Sequence, residues 1–205
     1  MGIAERKERQ KAELREQILD AALAIIRDEG FDALTMRKIA EAIEYSPATI
    51  YLHFASRDDI AFALVRDGFA KLVAHMGPAA AEPDPARRLF ALGRAYLEFA
   101  ASEPQTYRLI FMEDERFAAP IMLQLKGDDE NPGDAAFGIL IETVQQLIER
   151  GIYRALPAPA IAALFWSSLH GIAALKLSCS NYPFEGSIAE PGELMMELLN
   201  RGLLA

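Results

Sequence analysis

The sequence predicts an all-α fold of about nine helices, and three observations carry this prediction. Apolar residues recur at intervals of three and four over most of the 205 residues, which is the period of amphipathic helices. The Pro and Gly residues are concentrated at a few breaks in this pattern, where helices are expected to end. No stretch alternates apolar and polar residues over the length of a strand.

The composition excludes several classes of protein. Hydrophobic residues make up 52% of the chain and charged residues 25%, which is typical of a globular rather than a disordered protein. The single cysteine, Cys179, excludes an intramolecular disulfide and is expected to be buried. The longest apolar run, residues 158–177, is interrupted by serine, histidine, glycine and lysine, so no membrane contact is predicted. The charged N-terminus does not resemble a signal peptide, and the expected location is the cytoplasm.

Four helices are predicted in the first part of the chain. Residues 1–10 are expected to form a loose arm, which either is solvated or contacts DNA. The helices then cover residues 11–29, 34–43, 47–54 and 57–76. The second and third are short and are separated by a turn of three or four residues, which is the spacing of a helix-turn-helix DNA-binding motif.

Side chains that favour helix starts support these limits. Ser46 is followed by Pro47, so the hydroxyl can accept a free backbone N–H at a position where proline is tolerated. Ser56 and Asp59 have the spacing of a capping box. In the third helix Ile50 and Phe54 lie four residues apart on one face, which leaves the other side chains free to face a partner.

The string IAEAIEYSPATIYLHFASRDDI resembles the N-terminal domain of the tetracycline-repressor (TetR) family of bacterial regulators. The residues that fit the family pattern are Ile39, Ala40, Ser46, Thr49, Ile50, Tyr51, His53, Phe54, Ser56, Arg57 and Asp58. Two positions depart from it, because the family usually has Gly where Glu44 and often where Ala48 stand. A left-handed conformation at Glu44 would cost strain energy that Gly would not.

The resemblance implies a homodimer that binds a palindromic double-stranded DNA operator through the helix from Pro47. Apolar contacts to bases are expected from Pro47, Ala48 and Leu52, and Thr49 can make an apolar contact or a hydrogen bond. Tyr51 and His53 are expected to bind phosphates. The remaining candidates at the helix starts are Thr35, Arg37, Ser46 and Arg57.

The net charge argues mildly against a DNA-binding protein. The chain carries −9, and residues 1–60 contain 9 basic against 12 acidic residues, whereas DNA-binding domains are usually basic. Residues 1–15 are basic on balance. We therefore expect DNA binding with a shallow salt dependence.

The rest of the chain is predicted to be a helical regulatory domain. A linker is expected at residues 77–85, followed by helices over residues 85–102 and 104–112, and a polar loop over 113–133. Three further helices are predicted over residues 134–150, from after Pro159 to about 180, and 191–204. The expected domains are residues 1–56 for DNA binding, 57–76 as a connecting helix, and 77–205 for ligand binding and dimerisation.

The last two helices are expected to form the dimer interface. The first is apolar nearly all round and contains small residues, and the second has a broad face of Leu and Met. Two such helices from each of two chains can close a symmetric four-helix interface. Trp166, His170 and Gly171 also resemble the Trp-x-x-x-His-Gly signature of one subgroup of the family.

A small-molecule effector is expected within residues 85–180. Its candidate contacts are the aromatic and neighbouring side chains of this region, although any of them can equally be ordinary core: Tyr96, Phe99, Tyr107, Phe111, Met112, Phe137, Phe165, Trp166 and His170. Glu98 and Glu142 interrupt apolar faces and can either serve a cationic ligand or face solvent.

No catalytic motif is present, and the three histidines lack the spacing of metal ligands. The sequence therefore predicts neither an enzyme nor a bound cofactor or metal. The alternative to a regulator is a dimeric helical protein that binds a small molecule and does not bind DNA.

Overall fold

The computed structural model describes residues 2–113, 120, 121, 123, 125, 131–179 and 188–205. These residues form nine α-helices and one turn of 3-10 helix, Phe31–Ala33, and no strand, which confirms the all-α prediction. The helices are α1 (Ile3–Glu29), α2 (Met36–Ala42), α3 (Pro47–Tyr51), α4 (Arg57–Ala80), α5 (Pro85–Ser102), α6 (Pro104–Phe111), α7 (Pro132–Glu149), α8 (Ala158–Ser178) and α9 (Ala189–Leu203).

The chain divides into two compact units. The first comprises Met1–Asp67 and Asp114–Leu125, and the second comprises Gly68–Glu113 and Lys126–Ala205. The limit between them falls inside α4. The predicted domain limits, at residues 56 and 76, stay a prediction.

The first unit is held together by buried apolar side chains of its first three helices. Ile18 and Ala22 of α1, Ile39 of α2 and Ile50 of α3 are all fully buried. Helix α1 contacts α2, and α2 contacts α3. This core fixes the three helices around which the DNA-binding candidates are placed.

The expected loose arm at residues 1–10 is wrong, because α1 begins at Ile3. Half of the segment consists of Glu, Lys and Arg, which favour helices. The Glu5 carboxylate accepts a hydrogen bond from the backbone N–H of Gly2 at 2.8 Å. Arg9 and Glu13 form an i,i+4 ion pair. Side chains rather than packing therefore stabilise this exposed end.

Helix α5 is the centre of the second unit. It contacts α6, α7, α8 and α9, and half of its residues are buried. Its crossing with α9 depends on two glycines, since a β-carbon on Gly93 would lie 2.2 Å from the Sδ atom of Met196, and one on Gly192 would lie 2.2 Å from Cδ1 of Leu97. Each glycine thus accepts a side chain of the other helix.

Three further expectations are corrected. The predicted linker at residues 77–85 is helical up to Ala80, because Pro78 lies in the last turn and is followed by helix-forming alanines. Cys179 is exposed rather than buried, since it follows the last residue of α8. The predicted loop at 113–133 lies largely outside the described residues, but residues 120, 121, 123 and 125 are helical.

We predict that Gly93→Ala destabilises the protein by about 1–3 kcal/mol, because the new methyl group overpacks the crossing of α5 and α9. The matched control is Gly138→Ala in α7, where a β-carbon meets nothing within 4 Å. That change is expected to stabilise by about 0.5–1 kcal/mol. Urea unfolding of both variants measures the difference, and equal effects would contradict the close approach at Gly93.

Candidate functional site

The third helix, α3, is held at its start and on one face. The Ser46 hydroxyl oxygen accepts the Thr49 backbone N–H at 3.3 Å, and Pro47 occupies the first helical position. Ile50 is fully buried and Phe54 is nearly so. The backbone N–H of Phe54 donates to the Ile50 carbonyl at 3.0 Å. This arrangement confirms the predicted inward face of Ile50 and Phe54.

The opposite face of α3 is open to solvent. Tyr51 is 57% exposed and Leu52 is 80% exposed. Pro47 and Ala48 are exposed, and Thr49 and His53 are half-buried. An exposed leucine and tyrosine on a short, capped helix form a surface suited to a partner.

The turn before α3 contains a strained residue. Glu44 has φ of 60°, and among the described residues it is the one non-glycine with positive φ. The Tyr45 N–H donates to the Ala40 carbonyl at 2.9 Å and the Glu44 N–H to the Glu41 carbonyl at 3.4 Å. These two bonds form a Schellman motif, in which the left-handed position is usually Gly. Glu44 therefore has the left-handed conformation for which the sequence analysis expected a cost in strain energy.

The cationic candidates near the helix starts are paired with acidic neighbours. Arg37 donates to Glu41 at 2.7 Å and is largely exposed. Arg57 lies 3.5 Å from Asp58 and its guanidinium stacks over the Phe31 ring at 5.0 Å.

Hydroxyl groups at the helix starts act as caps. Thr35 Oγ1 accepts the Lys38 N–H at 3.1 Å and Ser56 Oγ accepts the Asp59 N–H at 3.1 Å. The Asp59 carboxylate accepts the N–H of Ala55, one residue earlier than the predicted capping box requires. Thr35, Ser46 and Ser56 therefore each begin a helix with a side-chain hydrogen bond.

A basic stripe on α1 adds residues that the sequence analysis missed. Lys7, Lys11 and Arg15 lie eleven, seven and three residues before the buried Ile18, so all four share one side of α1. The Arg15 guanidinium lies over the Phe54 ring at 5.3 Å. One side of α1 is therefore buried in the C-terminal half of the helix and cationic in the N-terminal half. The cationic part lies beside the end of α3. The sequence signal that could have identified these three residues is their helical spacing from Ile18.

His53 is close to this stripe. Burial lowers the pKa of His53, and the positive charges of Lys11 and Arg15 lower it further. The imidazole is therefore neutral at neutral pH and can donate one hydrogen bond and accept another.

In the second unit, six of the nine candidate ligand residues come together. The Tyr107 hydroxyl lies 2.7 Å from Nδ1 of His170, and the Tyr96 hydroxyl lies 3.0 Å from that of Tyr107 and 3.3 Å from the same Nδ1. The rings of Phe111, Phe137 and Trp166 extend this group through ring contacts of 5.5 to 6.1 Å between centroids. We call these six residues the aromatic cluster.

The electrostatics of the cluster keep its groups uncharged. Burial raises the pKa of Tyr107 to about 12. Burial also raises the pKa of Tyr96, and a hydrogen bond with the Trp166 side chain partly opposes that increase. Burial lowers the pKa of His170. At neutral pH both tyrosines are protonated and His170 is neutral.

The other three candidates lie outside the cluster contacts. Phe99 is buried and its ring meets that of His75 at 5.9 Å. Phe165 is fully buried in α8, and Met112 is half-buried at the end of α6. Glu98 and Glu142 are exposed. Among the described residues no group of His, Cys, Asp or Glu has the arrangement of a metal site.

The fold and these surfaces define a helix-turn-helix protein with a second helical domain. A family model described as bacterial regulatory proteins of the tetR family matches residues 18–64, and one described as a tetracyclin repressor-like C-terminal domain matches residues 89–199. The chain belongs to the tetracycline-repressor family. Its assignment to the Trp-x-x-x-His-Gly subgroup stays a prediction.

Individual relatives agree with this assignment. The chain is 31% identical over 129 residues to the HTH-type transcriptional activator FasR of Mycolicibacterium smegmatis, a match that covers 62% of this chain and 59% of the relative. A solved protein of unknown function from Rhodococcus sp. RHA1 superposes with a TM-score of 0.75 at 25% identity, over 94% and 96% of the two chains. The fold also matches the fatty acid degradation regulator FadR from Bacillus halodurans, with a TM-score of 0.73 at 21% identity over 92% and 98%.

We predict that Glu44→Gly stabilises the protein by about 1 kcal/mol, because glycine removes the cost of the left-handed conformation. A second Schellman motif in the same chain supplies the control. Gly151 has φ of 68°, and the Ile152 N–H donates to the Leu147 carbonyl. Gly151→Ala is expected to destabilise by a similar amount. Urea unfolding tests both, and a destabilised Glu44→Gly variant would contradict the assigned strain.

Proposed function

We propose that the protein is a dimeric, sequence-specific DNA-binding repressor that leaves its palindromic operator when a small molecule binds the second unit. The observation that carries this proposal is α3, which is capped, buried on one face and exposed through Tyr51 and Leu52 on the other. A helix held in this way is suited to the major groove.

Each exposed side chain has a role in the proposed complex. Leu52, Pro47 and Ala48 make apolar contacts with bases, and Thr49 contacts a base through its methyl or hydroxyl group. Tyr51 and His53 bind phosphates, as do Thr35 and Arg57 at the neighbouring helix starts. Arg37 reaches a phosphate or a guanine after exchanging its bond to Glu41.

The basic stripe on α1 extends this surface. Lys7 and Lys11 have no ion-pair partner within the described part of the chain, whereas Arg37 and Arg57 are paired with carboxylates. Unpaired cations gain the most from a phosphate because they lose no existing interaction. We therefore place the stripe against the DNA backbone beside α3.

Dimerisation uses α8 and α9, which contact each other. Leu164 and Leu175 on α8 are exposed, as are Leu194 and Leu198 on α9, at 59% and 61%. By length and composition α8 could cross a membrane, with 33% of its most apolar window buried. An apolar helix left largely uncovered in one chain is also what a symmetric interface requires, and we favour that explanation.

The effector binds at the aromatic cluster. Its members are uncharged, and Trp166, Phe111, Phe137 and His170 retain exposed surface, as a site for an apolar molecule requires. Binding acts by favouring a dimer geometry in which the two copies of α3 no longer match successive major grooves, about 34 Å apart. Relatives include both an activator, FasR, and a repressor, Rv1474c of Mycobacterium tuberculosis; we propose repression.

We predict that Lys7→Ala with Lys11→Ala weakens operator binding and reduces the slope of log K against log salt by about two units per protomer, because each lost phosphate contact removes about 0.9. Fluorescence anisotropy at several salt concentrations measures this slope. Arg27→Ala is the control, since Arg27 lies on the same helix about 30 Å beyond Lys7 and is paired with Asp28. An unchanged slope in the double variant would remove the stripe from the complex.

Leu194→Glu with Leu198→Glu is expected to convert the dimer into a monomer, because four charges would be buried without partners in a two-fold interface. Light scattering after size-exclusion chromatography measures the mass. Leu52→Glu, a change at an exposed leucine of the first unit, is expected to leave the dimer intact while abolishing DNA binding. A dimeric Leu194/Leu198 variant would place the interface elsewhere.

A further inference from the structure

We infer that the aromatic cluster selects an uncharged aromatic ligand that carries a carbonyl oxygen, and that the Nε2–H group of His170 donates a hydrogen bond to that oxygen. This inference rests on the proposed effector site and names the ligand class that this site takes. It follows from the hydrogen-bonding capacity of three side chains, Tyr96, Tyr107 and His170.

The three polar atoms form a closed triangle. The Tyr96 hydroxyl, the Tyr107 hydroxyl and Nδ1 of His170 lie 2.7, 3.0 and 3.3 Å from one another. Both tyrosines are buried, at 4% and 0% exposure. Each hydroxyl has one hydrogen to donate and can accept, whereas a neutral imidazole has one donor and one acceptor nitrogen. The protonation of Nδ1 therefore decides whether every hydrogen finds an acceptor.

One tautomer satisfies the triangle. If Nδ1 is the acceptor, Tyr107 donates to it and Tyr96 donates to the Tyr107 oxygen, so both hydrogens are bonded. If Nδ1 carries the proton, it donates to one of the two hydroxyl oxygens and can accept from neither. The contact between the two hydroxyl oxygens then holds one of the two hydroxyl hydrogens. One buried O–H would then be left without an acceptor within the triangle, which is costly. His170 is therefore in the Nε2–H form.

The Nε2–H group is left available to a ligand. No described residue accepts a hydrogen bond from it, and His170 is half-buried. The ring of Trp166 lies 5.8 Å from that of His170 and the ring of Phe111 lies 5.5 Å away. A ligand that meets this donor also meets two aromatic rings, which favours an aromatic ligand with an acceptor atom at its edge.

The acceptor is uncharged because the cluster contains no cation. The other five members of the cluster are aromatic side chains without charge, and burial holds His170 in its neutral form. A carboxylate would lose its hydration there without a positive partner, which is unfavourable. A ketone, aldehyde, ester or amide oxygen accepts the same hydrogen bond at a much smaller desolvation cost.

Three probes of similar shape test the inference: acetophenone, ethylbenzene and benzoate. They are titrated into the 15N-labelled full-length protein at pH 7.5 without DNA. Binding is followed by NMR through the indole N–H of Trp166, the single tryptophan of the chain. We expect acetophenone to bind about tenfold more tightly than ethylbenzene or benzoate, as one gained hydrogen bond allows. Equal binding of acetophenone and ethylbenzene, tighter binding of benzoate, or no binding of acetophenone would overturn the inference.

Two variants assign the preference to His170. His170→Phe is expected to bind acetophenone and ethylbenzene within about twofold of each other. His75→Phe, the same replacement at the histidine that contacts Phe99 outside the cluster, should keep the wild-type preference. A preference retained in His170→Phe would overturn the role of this residue.

A measurement on the unaltered protein is independent of how these variants fold. Long-range 1H–15N spectra identify the tautomer of each of the three histidines, and the Nε2–H form of His170 is expected. An Nδ1–H form would overturn the inference. Since no DNA is present, a protein that fails to bind an operator would still show the acetophenone preference, so the two proposals fail separately.

Discussion

The candidate DNA-binding surface depends on the burial of two side chains, Ile50 and Phe54. A five-residue helix such as α3 is not stable alone in water, because the cost of nucleation exceeds the gain from so few hydrogen bonds. Packing of Ile50, the Ser46 cap and the Schellman motif before it together fix the direction of α3. The side chains between the buried positions are then free to face a partner at no cost in packing.

The distribution of charge limits how this surface can bind. The chain carries −9, and Arg37, Lys38 and Arg57 are each paired with a carboxylate. DNA phosphates must replace those carboxylates, so the net gain per contact is small. We therefore propose that shape and apolar contacts at α3 carry much of the specificity. Lys7 and Lys11 of the stripe, which unlike Arg15 have no ion-pair partner among the described residues, would supply cations for the phosphates.

Local patterns predicted most of the fold, and what they missed depends either on a local signal that fits two conformations or on long-range contacts. Caps and apolar spacing located α2, α3 and α5 because these signals lie within a few residues. The start of α1 was wrong because an exposed, charged segment can be coil or helix, and the i,i+4 pair and the Gly2–Glu5 bond decide between them. The cluster residues were named one by one. The polar contacts of Tyr96 and Tyr107 with His170 join positions 74 and 63 residues apart, which no local spacing encodes.

Binding of the purified protein to labelled DNA from upstream of its own gene tests the central claim most directly. The experiment is run at about 100 mM salt, where the screening length is about 10 Å, with excess competitor DNA and with Tyr51→Ala beside the unaltered protein. The account predicts a tight complex that protects a short palindrome and is lost in the variant. If neither this DNA nor genomic fragments bind specifically, even at low salt, the protein is a helical ligand-binding protein and not a DNA-binding regulator.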